Sequence, residues 1–269
     1  MKLASWNVNS LRVRLPHVMD WLGSVHPAVL GIQETKLTDD KFPYSELQAA
    51  GYHVVFAGQP TYNGVALLAD ASVFQTPSDV QINNPLLPDD QIRLITATLT
   101  PITQGVAIRV ICAYVPNGSE VGSDKYTYKL RWLDALAAWV RTEKQRHPAL
   151  AVMGDFNIAP EDRDVHDPEA WREKVLCSSA ERDRLHALCT CGLTDAFRLT
   201  EQPENLYSWW DYREAAFRRN RGLRIDLILL SQTLADACRA SGIDTEPRKL
   251  ERPSDHAPVW VECESRLLR

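Results

Sequence analysis

The sequence predicts a layered α+β sandwich rather than a doubly wound sheet. Three observations carry this. Apolar runs of strand length are many, and amphipathic helical stretches are few. The two kinds do not alternate in the strict strand–helix–strand order of a parallel doubly wound sheet. The chain has 269 residues, of which 45% are hydrophobic, enough for a sizeable core, yet no apolar run approaches the roughly 18 residues of a membrane helix.

In chain order, a strand over Lys2–Trp6 is followed by a helical pattern at Leu11, Leu15, Val18, Met19 and Leu22. Pro16 is expected in the first turn of that helix, where its missing N–H costs nothing. Ala28–Ile32 reads as a buried strand. Leu47–Ala50 ends a helix, and Tyr52–Phe56 begins a strand after Gly51. Val65–Ala69, Ile92–Leu99 and Ala107–Val115 read as strands, the last two rich in β-branched residues. Tyr126–Arg146 is the clearest amphipathic helix, with Leu130, Leu133, Leu136 (or Ala137) and Val140 at helical spacing. Leu150–Met153 is a short buried strand, Arg182–Leu193 a helix, and Ile225–Leu230 and Pro258–Glu262 late strands. There is no repeat, low-complexity tract or long linker.

The six cysteines are scattered, form no CxxC pair and sit largely in apolar runs, where a thiol behaves as a small hydrophobe. The N-terminal residues lack the apolar stretch of a signal peptide, so a cytoplasmic protein is expected. The net charge of −5 argues only weakly against nucleic acid, because a local basic surface is enough to bind it and an acidic metal site lowers the total.

Polar residues collect where buried strands end. Glu34 follows Ile32-Gln33, Asp155 follows Met153-Gly154, and Asn7 and Asn9 follow the first strand. Asp226 interrupts Ile225-Asp226-Leu227-Ile228, and a buried carboxylate is costly unless paired. His256, just before the last strand, is a partner for it: an Asp–His bond fixes the ring and raises its pKa. Taken singly, each has a plainer reading: an Asp after a strand is usually a turn former, Asn7, Asn9 or Ser10 serves as a helix cap, and a lone His is more often structural. Jointly, Glu34, Asp155, Asp226, Asp255 and His256 with Asn7 and Asn157 resemble a hydrolase site built for a hard cation, since oxygen donors suit Mg²⁺ better than Zn²⁺.

Seven motifs then occur in order: Asn7-Val8-Asn9-Ser10, Gln33-Glu34-Thr35-Lys36, Tyr114-Val115-Pro116-Asn117-Gly118, Gly154-Asp155-Phe156-Asn157, Ser208-Trp209-Trp210-Asp211-Tyr212-Arg213, Arg221-Gly222-Leu223-Arg224-Ile225-Asp226 and Pro253-Ser254-Asp255-His256. Together, from Lys2 to about Val261, they resemble bacterial exonuclease III, the abasic-site endonuclease branch of the endonuclease/exonuclease/phosphatase superfamily. The resemblance implies one domain over 1–269 and a four-layered α/β sandwich, deoxyribonuclease I-like, with two packed sheets and helices outside. It implies Mg²⁺, replaceable by Mn²⁺, with Glu34 as main ligand and Asn7, Asp255, Asp155 and Asn157 close to the metal. It gives Asp155 the attacking water, His256 held by Asp226 the scissile phosphate, and Tyr114, Asn117 and Asn157 the phosphate or the leaving oxygen. Asn9 lies at the edge of this network.

The expected substrate is double-stranded DNA with abasic sites or damaged 3′ ends, handled by a monomer with no membrane and no obligate protein partner. Arg213, Arg218, Arg219, Arg221 and Arg224 crowd one segment beside Trp209, Trp210 and Tyr212, a pattern suited to phosphate contact with stacking. Arg12, Arg14, Lys36, Lys125 and Lys129 are expected to extend that surface. Trp209, Leu223 and Ile225 are expected to line a pocket for the abasic sugar, which Leu176 in the 162–179 loop could narrow. Glu120 stands near the point where some relatives insert a basic residue into the duplex. Three other readings compete: a 3′-end-specialised exonuclease or phosphatase, a non-catalytic nucleic-acid-binding regulator, and a phosphatase acting on lipids or inositol phosphates. The intact set of carboxylates and His256 argues against the second, and the Trp-Trp-Asp-Tyr-Arg segment against the third.

Overall fold

A computed structural model describes residues 1–264. The chain runs β1 (Lys2–Asn7), α1 (Leu11–Val25), β2 (Val29–Gln33), α2 (Tyr44–Ala49), β3 (Tyr52–Ala57), β4 (Val65–Asp70), β5 (Ser78–Ile82), β6 (Leu94–Leu99) and β7 (Ile108–Tyr114). It continues through α3 (Asp124–Arg146), β8 (Leu150–Asp155), α4 (Pro168–Trp171), α5 (Ser179–Cys189), β9 (Leu193–Asp195), β10 (Asp226–Ser231), α6 (Gln232–Ala235), β11 (Cys238–Ile243) and β12 (Val259–Cys263).

The strands form two six-stranded mixed sheets, β11-β12-β1-β2-β4-β3 and β5-β6-β7-β8-β10-β9. β1 is parallel to β2 and antiparallel to β12; β7 is parallel to β8, which is antiparallel to β10. The inner faces meet in a layer that includes Leu3, Val29, Leu67, Val110, Cys112, Met153, Ile228 and Val261. Outside the first sheet, Val18, Trp21 and Leu22 of α1 pack on Trp6, Leu30 and Ile32. Outside the second, Trp132, Leu133, Leu136 and Val140 of α3, with Leu185 and Leu188 of α5, cover Ile111, Val152, Leu227 and Leu229. The central strands are therefore buried on both faces. That is why they read as continuous apolar runs rather than alternating ones. The result is the four-layered, deoxyribonuclease I-like sandwich.

Some local expectations need correction. α1 begins at Leu11, so Pro16 lies in its second turn; it faces solvent, where water can take the carbonyl it leaves unpaired. Neither Asn7, Asn9 nor Ser10 caps α1 through its side chain; the backbone amides of Ser10 and Leu11 donate instead to the carbonyls of Glu34 and Thr35. The helix expected over Arg182–Leu193 starts earlier, at Ser179, because Ser178 and Glu181 form a reciprocal capping box, and Leu193 opens β9. The strands β5, β9 and β11 had no apolar signature: β5 is a largely exposed edge, β9 has three residues, and β11 is half-exposed. No helix among the described residues is long and apolar enough to cross a membrane.

Candidate active site

Strand direction gathers the polar residues at one rim. The parallel pairs β1–β2 and β7–β8 end there, at Asn7, Gln33, Tyr114 and Asp155, while β10 begins there with Asp226 directly opposite Asp155. The segment before β12 is pinned to the same rim, as Ser254 Oγ donates to the Asn7 carbonyl at 2.7 Å and accepts from the His256 amide at 3.2 Å. Gly154 is required here by close approach: a Cβ on it would sit 1.8 Å from the Ala113 carbonyl oxygen of the neighbouring strand.

The side chains form a continuous chain of contacts. Asp226 lies 2.8 and 3.1 Å from His256 Nδ1. His256 Nε2 faces Asp155 Oδ2 at 3.7 Å. Asn7 Nδ2 donates to Asp155 Oδ2 at 2.9 Å and to Glu34 Oε1 at 2.8 Å. Asn157 donates its amide N–H to Asp155 Oδ1 at 2.9 Å and its Nδ2 to the Val115 carbonyl at 2.9 Å, and its Oδ1 accepts from Asn117 Nδ2 at 3.1 Å. Lys36 Nζ lies 2.9 Å from Glu34 Oε2. Asn9, Glu34 and Asn157 all have left-handed backbone, at φ 44, 54 and 50, and strained non-glycine residues of this kind cluster where geometry matters more than stability.

The electrostatics follow from burial and neighbouring charges. Burial raises Asp155 to about 7, aided by the nearby carboxylates and opposed by His256. Burial opposes the charge on His256, but Asp226 and Asp155 outweigh it and bring the imidazole up to about 10. Burial, reinforced by Glu34 and Asp155, holds the Tyr114 hydroxyl well above its usual range.

Glu34, Asp155 and His256 bring one ligand atom each within 4.8 Å of one another. Two carboxylates converging at a rim, one of them pushed toward its neutral form, are a donor set that a divalent cation would relieve, and oxygen donors suit a hard one. Asn7, Asn157 and Asp255, expected close to the metal, engage neighbouring side chains. Asn7 turns its nitrogen to the carboxylates and bridges them. Asn157 spends its oxygen on Asn117. Asp255 lies outside the group of three, its oxygens taken by Asn9 Nδ2 at 2.9 Å and Trp209 Nε1 at 3.0 Å.

The substrate-side expectations divide. Arg213 is exposed but paired with Asp211 at 2.6 Å. Arg224 is not at the surface: it is 1% exposed and bonded to Asp164 and Asp195, both at 2.7 Å, so it cannot meet DNA. Lys129 is likewise wholly buried and paired with Glu181. Arg14 is spent on the carbonyls of Asn9, Arg252 and Pro253, and Trp210 is core. Trp209, Leu176, Leu223 and Ile225 do come together, in one apolar cluster beside the rim. A groove of about 480 Å³ runs from Glu34 and Tyr114 past Asn117, Arg93, Lys125 and Tyr62. The sequence reading passed over Arg93, Gln59 and Tyr62; they lie in loops or at strand starts, with no motif to mark them.

Two packed sheets whose shared rim gathers Asn, Glu and Asp beside a His held by Asp226 suit a hydrolase. The model of the Endonuclease/Exonuclease/phosphatase family matches residues 4–256. Exodeoxyribonuclease III of Haemophilus influenzae is 38% identical over 97% of this chain and 99% of its own. Among solved structures, the 3′ phosphatase NExo from Neisseria, bound to a product DNA hairpin, has 49% identity and a TM-score of 0.92, covering 98% of this chain and 99% of that one. An AP endonuclease from Archaeoglobus fulgidus has 36% identity and a TM-score of 0.90, with 98% and 99% covered. The chain belongs to the endonuclease/exonuclease/phosphatase family, as a nuclease of the exonuclease III and AP endonuclease type.

Proposed function

We propose that the protein is a Mg²⁺-dependent DNA-repair phosphodiesterase, acting as a monomer in the cytoplasm on duplex DNA, which processes damaged 3′ ends and incises on the 5′ side of abasic sites. The observation that carries this reading is the unbroken chain Asp226–His256–Asp155–Asn7–Glu34 at the rim.

Glu34 and Asp155 would hold the cation, which supplies Lewis-acid charge to the phosphoryl oxygens; Mn²⁺ has the same donor preferences. Asp155 orients the attacking water and takes its proton. His256, kept charged and oriented by Asp226, donates to a phosphoryl oxygen as negative charge builds there. Tyr114, Asn117 and Asn157 position the phosphate and the leaving oxygen, and Asn9 holds Asp255 and so Trp209. The exposed Arg213 with Arg218, Arg219 and Arg221, and Lys125 in the groove, meet the DNA backbone.

The balance between the two substrates rests on the apolar cluster. Leu176 is 4% exposed and packs with Leu223, Ile225 and Trp209, occupying volume that a flipped abasic sugar needs. This favours 3′-end processing as the stronger activity, in keeping with the 3′-phosphatase activity of the Neisseria relative. The test compares kcat/KM on a duplex with an internal abasic analogue and on one with a 3′-phosphate at a nick. Both are cut under this reading, the second faster. Cleavage of neither would revive a binding protein without activity.

A further inference from the structure

Behind the rim, α3 and α5 place a charged pair entirely out of solvent. Lys129 and Glu181 both have fully buried side chains. Lys129 Nζ donates to the Asn157 carbonyl at 2.6 Å, to the Asn117 carbonyl at 3.1 Å and to Glu181 Oε1, which uses all its protons. Glu181 Oε1 also accepts from the Leu176 amide at 3.0 Å, and Oε2 accepts from the Ser178 amide at 3.1 Å and the Ser178 hydroxyl at 2.6 Å.

Such a pair is a poor way to gain stability, because desolvating two charges consumes most of their attraction. Its connections are informative. Lys129 joins the loop after β7 to the loop after β8, the two that carry Asn117 and Asn157. Glu181 holds the segment that carries Leu176. Asn157 and Leu176 both have left-handed backbone, at φ 50 and 77. For a bulky residue such as leucine this is an outlier that persists only where its surroundings over-determine it. One member of the pair grips each strained residue: Lys129 the carbonyl of Asn157, Glu181 the amide of Leu176.

We propose that Lys129 and Glu181 are positioning residues that couple the phosphate-handling loops to the substrate pocket: Lys129 sets Asn117 and Asn157, while Glu181 fixes Leu176 against Trp209, Leu223 and Ile225 and thereby sets the preference between 3′ ends and abasic sites. This rests on the functional reading above. Neither side chain reaches solvent, so neither touches substrate.

The experiment measures kcat/KM of the full-length protein on the abasic-analogue and nicked 3′-phosphate duplexes. Glu181→Gln removes the charge at constant size, and its carboxamide can no longer accept from both the Leu176 and the Ser178 amide, so the segment that carries Leu176 loosens; the ratio of the two activities moves by about tenfold toward the abasic duplex, the scale of a modest change in pocket volume. In a Leu176→Gly background, where a left-handed residue is unstrained and the side chain is gone, Glu181→Gln no longer moves the ratio. Lys129→Met lowers turnover on both duplexes together by about 10²-fold, as misplaced groups do, and Lys129→Arg, which keeps charge and donors, recovers part of it. An unchanged ratio in Glu181→Gln, or the same ratio shift with and without Leu176, overturns the proposal. So does equal activity of Lys129→Met and Lys129→Arg. Should Glu181→Gln fail to fold, Leu176→Gly alone decides: a ratio within about twofold of wild type rules out the pocket arm. Wild-type inactivity on both duplexes would instead sink the functional reading itself.

Discussion

Replacing Asp226 by Asn tests how much of the chemistry depends on a charged, oriented His256. The imidazole stands at about 10 because Asp226 and Asp155 outweigh its burial. Without Asp226 it falls toward the ordinary value of about 6.5. At pH 8 the charged fraction then drops from nearly all to about three in a hundred, a loss of about thirtyfold. Asp155, 3.7 Å from Nε2, retains part of that charge. Loss of the bond at Nδ1, 2.8 Å from Asp226, lets the ring turn and adds a further factor. The expected defect in single-turnover cleavage of the nicked 3′-phosphate duplex is therefore about 10²–10³-fold at pH 8, within the usual range for one acid–base group. At pH 6 the imidazole of the variant is largely charged again, so the ratio of variant to wild type recovers by about tenfold or more. A defect under about threefold at pH 8, or an equal defect at pH 6 and pH 8, would refute the reasoning.

Three further outcomes are expected. Folded His256 holds its proton up to about 10 whereas the unfolded residue releases it near 6.5. The stability it contributes is therefore complete below pH 6.5 and falls as pH rises to 10; in urea titrations with EDTA, the gap between wild type and Asp226→Asn should narrow over that window. Gly154→Ala forces a Cβ to 1.8 Å from the Ala113 oxygen, and the urea midpoint should show a loss of about 3 kcal/mol or more, the range of severe backbone and packing conflicts. Trp209→Ala removes the partner of Asp255 and one wall of the apolar cluster, and abasic cleavage should fall about tenfold relative to 3′-phosphate release.

Much of the site was legible because it sits at strand ends. Glu34, Asp155 and Asp226 announce themselves by ending or interrupting apolar runs, and His256 by standing where Asp226 needed a partner. Strands buried on both faces were equally visible. The edge strands β5 and β11 were not, since the first is largely exposed and the second half-exposed, which leaves little apolar pattern. Arg224 and Lys129 were misread as surface because sequence records charge but not depth. Arg224 is buried because Asp164 and Asp195 converge on it, and Lys129 because Glu181 does, and those partners lie dozens of residues away. The contacts made by the carboxamides of Asn7 and Asn157 depend on which neighbours the fold brings to them, which only three-dimensional structure specifies.

The central claim is metal-assisted hydrolysis at this rim. Its most direct test is release of inorganic phosphate from a nicked 3′-phosphate duplex, measured in Mg²⁺, in EDTA, and in EDTA with Mg²⁺ restored, for wild type and Asp155→Asn. The account predicts release in Mg²⁺, none in EDTA, full recovery on restoring the metal, and a loss of at least about 10²-fold in the variant. Release undiminished by EDTA, or near-normal turnover by Asp155→Asn, would contradict it.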